Sequence, residues 1–217
     1  LEFRRVLFRS GILALEASRA GGVVVGEDLG VVPAYVSKSL SEHGILGCAV
    51  EWFEQFDGEF RAPKDWRPYA LASVNTHDLP PAAGYLEYGH VKLREQLGLL
   101  SGPVEEFQKS AEAEHNAMLS MLVDEGYLDA SALEDELANE NEIIDALYRG
   151  LKGSPCKLMA ASIVDAVGEK RTQNQPGTSN EYPNWRIPLA DGDGNVVPLE
   201  QLFDNTRLQE IAAIMRG

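Results

Sequence analysis

Two short stretches of this chain end in carboxylates. Val23-Val24-Val25-Gly26 runs straight into Glu27 and Asp28, followed by Leu29-Gly30, which can turn the backbone. Tyr69-Ala70-Leu71-Ala72-Ser73-Val74 runs in the same way into Asn75-Thr76-His77-Asp78. An apolar run with no polar alternation reads as a strand buried on both faces, as in a parallel sheet wrapped by helices. In such folds the reacting groups gather where strands end on their C-terminal side. Carboxylates at the ends of two strands of one sheet suit the cleavage of a glycosidic bond with retention. One carboxylate attacks the anomeric carbon, a carboxylic acid protonates the leaving oxygen and then serves as base, and polar groups stabilise the charge that builds on the ring. Glu27 is placed for the acid/base role, because a long side chain at the end of a buried strand can be held protonated by a partly apolar pocket. Asp78, beside His77, is placed to grip sugar hydroxyls and favour a flattened, charged ring. Plainer readings stay open. Glu27 also suits a helix N-terminus or a salt bridge at the sheet rim, and His77 suits a hydrogen-bonded rim position. Asp28 is expected to cap the following helix or bond backbone. Trp52, Trp66 and Trp185 suit either sugar stacking or packing.

The elements that must position these residues alternate as in a parallel α/β fold. Gly11 to Ala20 reads as the end of a helix stopped by Gly21-Gly22, and a strand follows to Glu27. Pro33 opens a helix through Leu40, with Val32, Val36 and Leu40 on one face and His43-Gly44 at its end. Ile45 to Phe53 is the next strand, residues 55–68 a loop broken by Gly58, Pro63 and Pro68, and a third strand leads to Asp78. After Pro80-Pro81, residues 84–151 read as a helical insertion, with Met118, Leu119, Leu122 and Ile143, Ile144, Leu147 at helical spacing. Its acids (Glu105, Glu106, Glu112, Glu114, Glu134, Asp135, Glu136, Glu140 and Glu142) are expected on solvated faces. Cys156 to Val167 reads as the last strand, and the polar, turn-rich residues 171–186 as a binding loop. Asp191 to Asn195 reads as a hairpin or turn whose alternating acids resemble a calcium loop but lack the final acidic ligand at the right spacing. Leu199 to Met215 is helical. Residues 1–10 differ in character, with three arginines and no apolar period, and read as a non-native leader outside the domain of residues 11–217.

Bulk composition excludes several partners. The 217 residues carry a formal net charge of -15, which argues against nucleic acid and against an anionic membrane surface. No apolar run approaches the ~20 residues that span a bilayer. Cys48 and Cys156 read as free thiols in a reducing, cytoplasmic compartment. The four histidines show no ligand spacing, so neither a zinc site nor another metal is expected.

Several motifs together carry a family resemblance. Val25-Gly26-Glu27-Asp28-Leu29-Gly30 with Pro33, Gly44-Ile45-Leu46-Gly47, Glu51-Trp52-Phe53-Glu54 and Thr76-His77-Asp78 occur in that order. They are followed by Asn174-Gln175-Pro176-Gly177-Thr178 and Glu181-Tyr182-Pro183-Asn184-Trp185-Arg186. The set resembles the 4-α-glucanotransferases of glycoside hydrolase family 77, the amylomaltases or disproportionating enzymes. The resemblance implies the C-terminal half of a (β/α)8 barrel, strands five to eight, with a helical insertion before the last strand. It implies transfer of α-1,4-glucan segments to the 4-hydroxyl of an acceptor, without cofactor, on maltooligosaccharides or other α-1,4-glucans. Glu27 falls on the family's acid/base, Asp78 on its transition-state stabiliser and His77 on a sugar-binding histidine. Asp57 and Asn174 fall near positions lining the glucan groove. The family's nucleophile is an Asp at the end of strand four, and Gly11 to Val25 contain no Asp. The chain is therefore expected to be an inactive fragment that lacks the N-terminal half of the barrel. Two alternatives are another retaining α-glucan hydrolase and a non-catalytic glucan-binding half-barrel.

Overall fold

The computed structural model describes the backbone of residues 2–217, with side chains from residue 8 onward except that of Ala34. Helix α1 (Glu2–Ala20) runs without a break across residue 10 and stops at Gly21, which takes φ +65°. Phe8, Ile12, Leu13 and Leu15 on it are exposed. The expected strand at Val23–Val25 shrinks to one parallel bridge between Val25 and Leu46, and Val23 is exposed. Gly26 N–H donates to the Leu46 carbonyl and Leu46 N–H to the Val24 carbonyl, so among the described residues the segment is paired along one edge, and Val24 and Val25 are half-buried. Helix α2 (Ala34–Glu42) follows Pro33, whose φ of -59° suits entry to a helix, and ends at His43 before Gly44 at φ +69°.

Strand β1 (Gly47–Val50) is shorter than the apolar run that suggested it, because Glu51–Phe53 wind into a 3-10 turn. The loop that follows contains a small hairpin, β2 (Gln55–Phe56) and β3 (Glu59–Phe60). Strand β4 (Ala70–Ser73) leads to the helical region: α3 (Ala82–Leu86), α4 (Gly89–Gln96), α5 (Val104–Asp124) and α6 (Glu140–Gly153). Strand β5 (Leu158–Ala160) covers only the start of the last apolar run, and Ile163–Val164 belong to the short helix α7 (Ile163–Ala166). Helices α8 (Leu199–Leu202) and α9 (Thr206–Arg216) complete the elements. Among the described residues no helix is long and apolar enough to cross a membrane.

The sheet is parallel, in the order β1-β4-β5, with Gly47 opposite Ala70 and Leu71 opposite Leu158. With the Val25–Leu46 bridge, parallel neighbours follow chain order. The two faces differ. Ala49, Ala70 and Ala72 are fully buried, small enough to let helices pack close, and join Met118, Leu122, Ile143, Leu147 and Leu151 in one core. On the other face Cys48 and Leu71 are half-buried, and Leu158 and Ala160 are exposed. Most of the insertion's acids are solvated as expected, but three are not. Glu114 accepts from Gln55 at 3.0 Å, Glu136 lies 2.8 Å from the buried His115, and Glu140 lies 3.8 Å from Lys170.

A side-chain clamp fixes the strand ends relative to one another. The Asp28 carboxylate, 1% exposed, accepts two bonds from the Arg67 guanidinium at 2.6 and 2.7 Å. It also accepts the Cys48 backbone N–H at 2.9 Å and the Ser37 hydroxyl of α2 at 3.1 Å. Arg67 donates in addition to the Cys48 carbonyl. Its guanidinium crosses Gly47 so closely that a Cβ there would lie 2.7 Å from it and would push the guanidinium aside. Burial alone raises the Asp28 pKa, but the bonds from Arg67, Cys48 and Ser37 outweigh it and hold the carboxyl below its ordinary value.

Two predictions follow from the buried acids. Replacing Arg67 with Met leaves the buried Asp28 without its cation, with only the Cys48 N–H and Ser37 hydroxyl still donating to it. Chemical denaturation at pH 7 should show a loss of about 3 kcal/mol, the lower end for breaking a buried pair, since Arg67 is one-third exposed. Asp28 is depressed in the fold, so its contribution is present above its unfolded pKa of 3.8 and disappears as pH falls through the lower folded value. The difference between the two proteins should therefore shrink in acid, and a difference that persists unchanged at low pH rules the pairing out. Glu51 has the opposite sign. It is fully buried, neither carboxyl oxygen meets a donor among the described residues, and burial with the nearby Glu54 charge pushes it up to about 8. The native state then keeps a proton that the unfolded chain releases above pH 4.5. Between pH 4.5 and about 8 this group should lower stability by up to about 1.4 kcal/mol per pH unit. The Glu51→Gln variant should become progressively more stable than the parent over that range, and a gap independent of pH would contradict the assignment.

Candidate functional site

The C-terminal ends of β1 and β4 open into a cleft of about 350 Å3. Its floor is apolar, from Cys48, Val50, Phe53 and Leu71, and its polar side carries Glu27, Thr76, His77 and Asp78. The floor residues on the strands, the half-buried Cys48 and Leu71 and the buried Val50, lie on the face opposite the alanines under the helices. Glu27 stands on the turn after Val25, exposed in the cleft. The next residue is the clamped Asp28, and Gly30 at φ +80° completes the turn, so the carboxyl that faces the cleft is anchored by the one that does not.

His77 and Asp78 sit on the turn after β4. Leu79 N–H donates to the Thr76 carbonyl at 3.2 Å and Asp78 N–H to the Thr76 hydroxyl at 3.3 Å. The loop that follows α7 meets this turn. Asn174 Nδ2 donates to Asp78 Oδ1 at 2.6 Å, and Asn174 N–H donates to the His77 carbonyl at 3.1 Å. His77 Nε2 lies 3.4 Å from Asp78 Oδ1, and the His77 ring packs at 4.9 Å from that of Trp185. Trp185 takes φ +62°, is 65% exposed, and donates its N–H to the Gln173 carbonyl at 3.0 Å. An exposed indole held in an uncommon backbone conformation beside a site histidine is available to stack on a ligand ring.

That loop is fixed from beneath by Glu169, which is 1% exposed. Its carboxylate accepts from the backbone N–H groups of Lys170, Arg171 and Ala190 and from the Arg171 guanidinium at 2.7 and 2.9 Å. Burial raises its pKa, but Arg171 and the backbone donors more than compensate and the net shift is downward. Tyr182 donates to the Thr172 carbonyl at 2.7 Å, and Gln175 N–H to Asn184 Oδ1 at 2.8 Å, which folds the loop back on itself. Beyond Asp78 a second cavity of about 460 Å3 opens, with His90, Arg94, Thr172 and Gln175 in its wall, so Asp78 borders open space on both sides. Burial, with the Arg94 charge, lowers the His90 pKa to about 4, so that ring is neutral at pH 7.

The structure thus brings Glu27, His77 and Asp78 to one cleft and bonds Asn174 to it. Asp57 stands apart. It occupies the tip of the β2–β3 hairpin with φ +54°, followed by Gly58 at φ +81°, and does not line the cleft. Asp-Gly with both residues at positive φ is a type I′ turn, a signal that the loop reading of residues 55–68 passed over. Phe53, half-exposed on the cleft floor, was also missed, because it was placed inside a strand that stops at Val50. Among the described residues no three side chains of metal-ligand type converge, and both cysteines are free thiols.

With this geometry in view, comparison with known proteins is informative. A family profile described as 4-alpha-glucanotransferase (glycoside hydrolase family 77) matches residues 7–192. The 4-alpha-glucanotransferase of Mycobacterium tuberculosis (strain ATCC 25618 / H37Rv) is 48% identical over 212 residues, 95% of this chain and 29% of that protein. That of Haemophilus influenzae is 32% identical over 201 residues, 91% of this chain and 28% of that protein. The crystal structure of amylomaltase from Corynebacterium glutamicum superposes with a TM-score of 0.87 at 39% identity, covering 94% of this chain and 30% of that one. Amylomaltase from Streptococcus agalactiae, solved in complex with acarbose, shares the fold with a TM-score of 0.50 at 16% identity, over 88% of this chain and 30% of that one. The chain therefore spans about 30% of the length of the relatives it matches. The match over residues 7–192 and the shared architecture make this chain a member of the 4-alpha-glucanotransferase family, glycoside hydrolase family 77.

Proposed function

We propose that the chain is the C-terminal part of a 4-α-glucanotransferase, contributing strands five to eight of a (β/α)8 barrel with the helical insertion of residues 84–151 before the last strand. The observation that carries the reading is the placement of Glu27 and Asp78 on one cleft, at the ends of parallel segments on either side of β1, with Asn174 bonded to Asp78 at 2.6 Å. The chain-order sequence of parallel neighbours supports the barrel arc.

In the proposed reaction a nucleophilic carboxylate attacks the anomeric carbon of an α-1,4-glucan. The bond to the glycosidic oxygen breaks as Glu27 delivers its proton to that oxygen. The ionised Glu27 then takes the proton of the acceptor's 4-hydroxyl, whose oxygen displaces the carboxylate and re-forms an α-1,4 bond. Asp78, oriented by Asn174, faces the positive charge that builds on the ring in both steps. His77 and Trp185 hold the sugar, and the apolar floor of Val50, Phe53 and Leu71 disfavours water as the acceptor. Among the described residues the carboxylates lining the cleft are Glu27 and Asp78. We therefore place the nucleophile outside this chain, with the rest of the barrel and of the glucan groove. The same observation favours a second reading, a non-catalytic glucan-binding half-barrel. The free thiols of Cys48 and Cys156 support a reducing, cytoplasmic setting.

Maltotriose disproportionation distinguishes these readings. This chain alone should release no glucose or longer oligomers, whereas the full-length parent should produce both, and Glu27→Gln in the parent should cost about 10^2- to 10^4-fold in rate. New reducing ends without longer products would mark a hydrolase instead. A silent but folded parent that still binds maltooligosaccharides would mark the binding module.

A further inference from the structure

A buried network lies behind the His77–Asp78 turn, and the proposed mechanism does not use it. Asp165 of α7 is 1% exposed. Its carboxylate accepts Asn75 Nδ2 at 2.8 Å, the Ala82 backbone N–H at 2.7 Å and the Tyr148 hydroxyl at 2.7 Å. Tyr148, on α6, in turn accepts the Ser162 backbone N–H at 3.0 Å. Asn75 and Ala82 bracket the segment 76–81, which carries His77, Asp78 and the Pro80-Pro81 pair. One carboxylate therefore grips both ends of that segment, and Tyr148 ties the grip to the helical region between β4 and β5.

We propose that Asp165 is a positioning residue for Asp78: with Asn75 and Tyr148 it sets the conformation of the 76–81 turn, so that the helical insertion orients the transition-state stabiliser. Within the segment, Thr76 supplies the local bonds that shape the turn, and Asn174 meets Asp78 from outside. Neither fixes where the turn as a whole sits above the sheet. The bonds that do so are those of Asp165, because they hold the residues on either side of it, Asn75 and Ala82, to a helix that is itself packed on α9. A buried carboxylate with three donors is costly to alter, since each donor left unpaired keeps its desolvation penalty. Each carboxylate oxygen accepts from two donors, so converting Asp165 to Asn sets an amide N–H2 against two of them and loosens the grip on the turn.

The proposal rests on the catalytic reading for its kinetic consequence but not for its structural one, and the two are measured separately. The structural arm uses this chain with isotopically labelled histidine. The His77 ring resonances should move in Asp165→Asn and, to a smaller extent, in Tyr148→Phe, while those of His43, remote from the turn, stay in place. Tyr148→Phe removes a single donor and gives the readout even where Asp165→Asn does not fold. Folded variants whose His77 resonances coincide with those of the parent overturn the positioning role, whatever the activity. The kinetic arm uses the full-length transferase. There kcat should fall about 10- to 100-fold with KM held within about twofold, the signature of a displaced reacting group rather than lost binding. A fall in thermal stability with kcat unchanged reduces Asp165 to a structural residue. If the parent shows no transfer at all, the function proposed above fails while the resonance test still decides this one.

Discussion

The pairing of Asp28 with Arg67 is the constraint on which the rest of the structure depends. The strands here are three or four residues long, too short for their ladders to fix how far one extends past the next. The clamp supplies what the ladders lack. It joins the turn after Val25 to β1 through the Cys48 N–H, to α2 through Ser37, and to the segment that enters β4 through Arg67 itself. The same segment reaches β5, because Cys156 donates to the Arg67 carbonyl and Lys157 N–H to the Pro68 carbonyl. A buried ion pair is not favourable merely by being buried, since desolvation offsets the attraction. This one has bidentate geometry and further donors on its remaining lone pairs, the condition under which such a pair holds a fixed arrangement. The ends of the strands carry the site, so their mutual placement is what the clamp secures.

The same device recurs. Each loop that brings a residue to the cleft has its own buried carboxylate beneath it: Asp28 under Glu27, Asp165 under His77 and Asp78, Glu169 under Asn174 and Trp185. The physical reason is common to all three. A carboxylate accepts several donors at once and so ties a loop to several elements at a single point; Glu169 does this largely through the loop's own backbone N–H groups, Asp28 and Asp165 mainly through side chains and N–H groups of neighbouring elements. Glu51 is the instructive exception. It is as buried as the others but meets no donor among the described residues and faces a second acid, so it is held in its protonated form. A buried carboxyl anchors a loop only where donors converge on it.

What was legible in the sequence follows from what acts locally. Glu27, His77 and Asp78 stood out because they lie at the ends of apolar runs, and the end of a parallel strand is where such residues meet. The helices between β4 and β5 were legible from the spacing of Met118, Leu122, Ile143 and Leu147, all buried in the fold. Strand lengths were not legible. An apolar run shows that residues are buried but not where pairing stops, so Glu51–Phe53 and Ile163–Ala166 read as strand and fold as helical turns. Val23 to Val25 read as a fully buried strand, but a segment paired on one side cannot be covered like a central one. The anchors were beyond reach for a different reason. Asp165 and Asn75 lie 90 residues apart and Asp28 and Arg67 lie 39 apart, and nothing in composition or period links them.

The asymmetry of the sheet bears on the chemistry proposed for Glu27. The helix-side face, with Ala49, Ala70 and Ala72, is completely buried, while Cys48 and Leu71 are half-buried on the other face and Leu158 and Ala160 are open. That second face is also the floor of the cleft. On the proposed barrel, strands from the remainder of the protein cover this face and wall the cleft opposite Glu27. On that proposal, the apolar face that closes against the rest of the barrel is the face that lines the cleft beside Glu27.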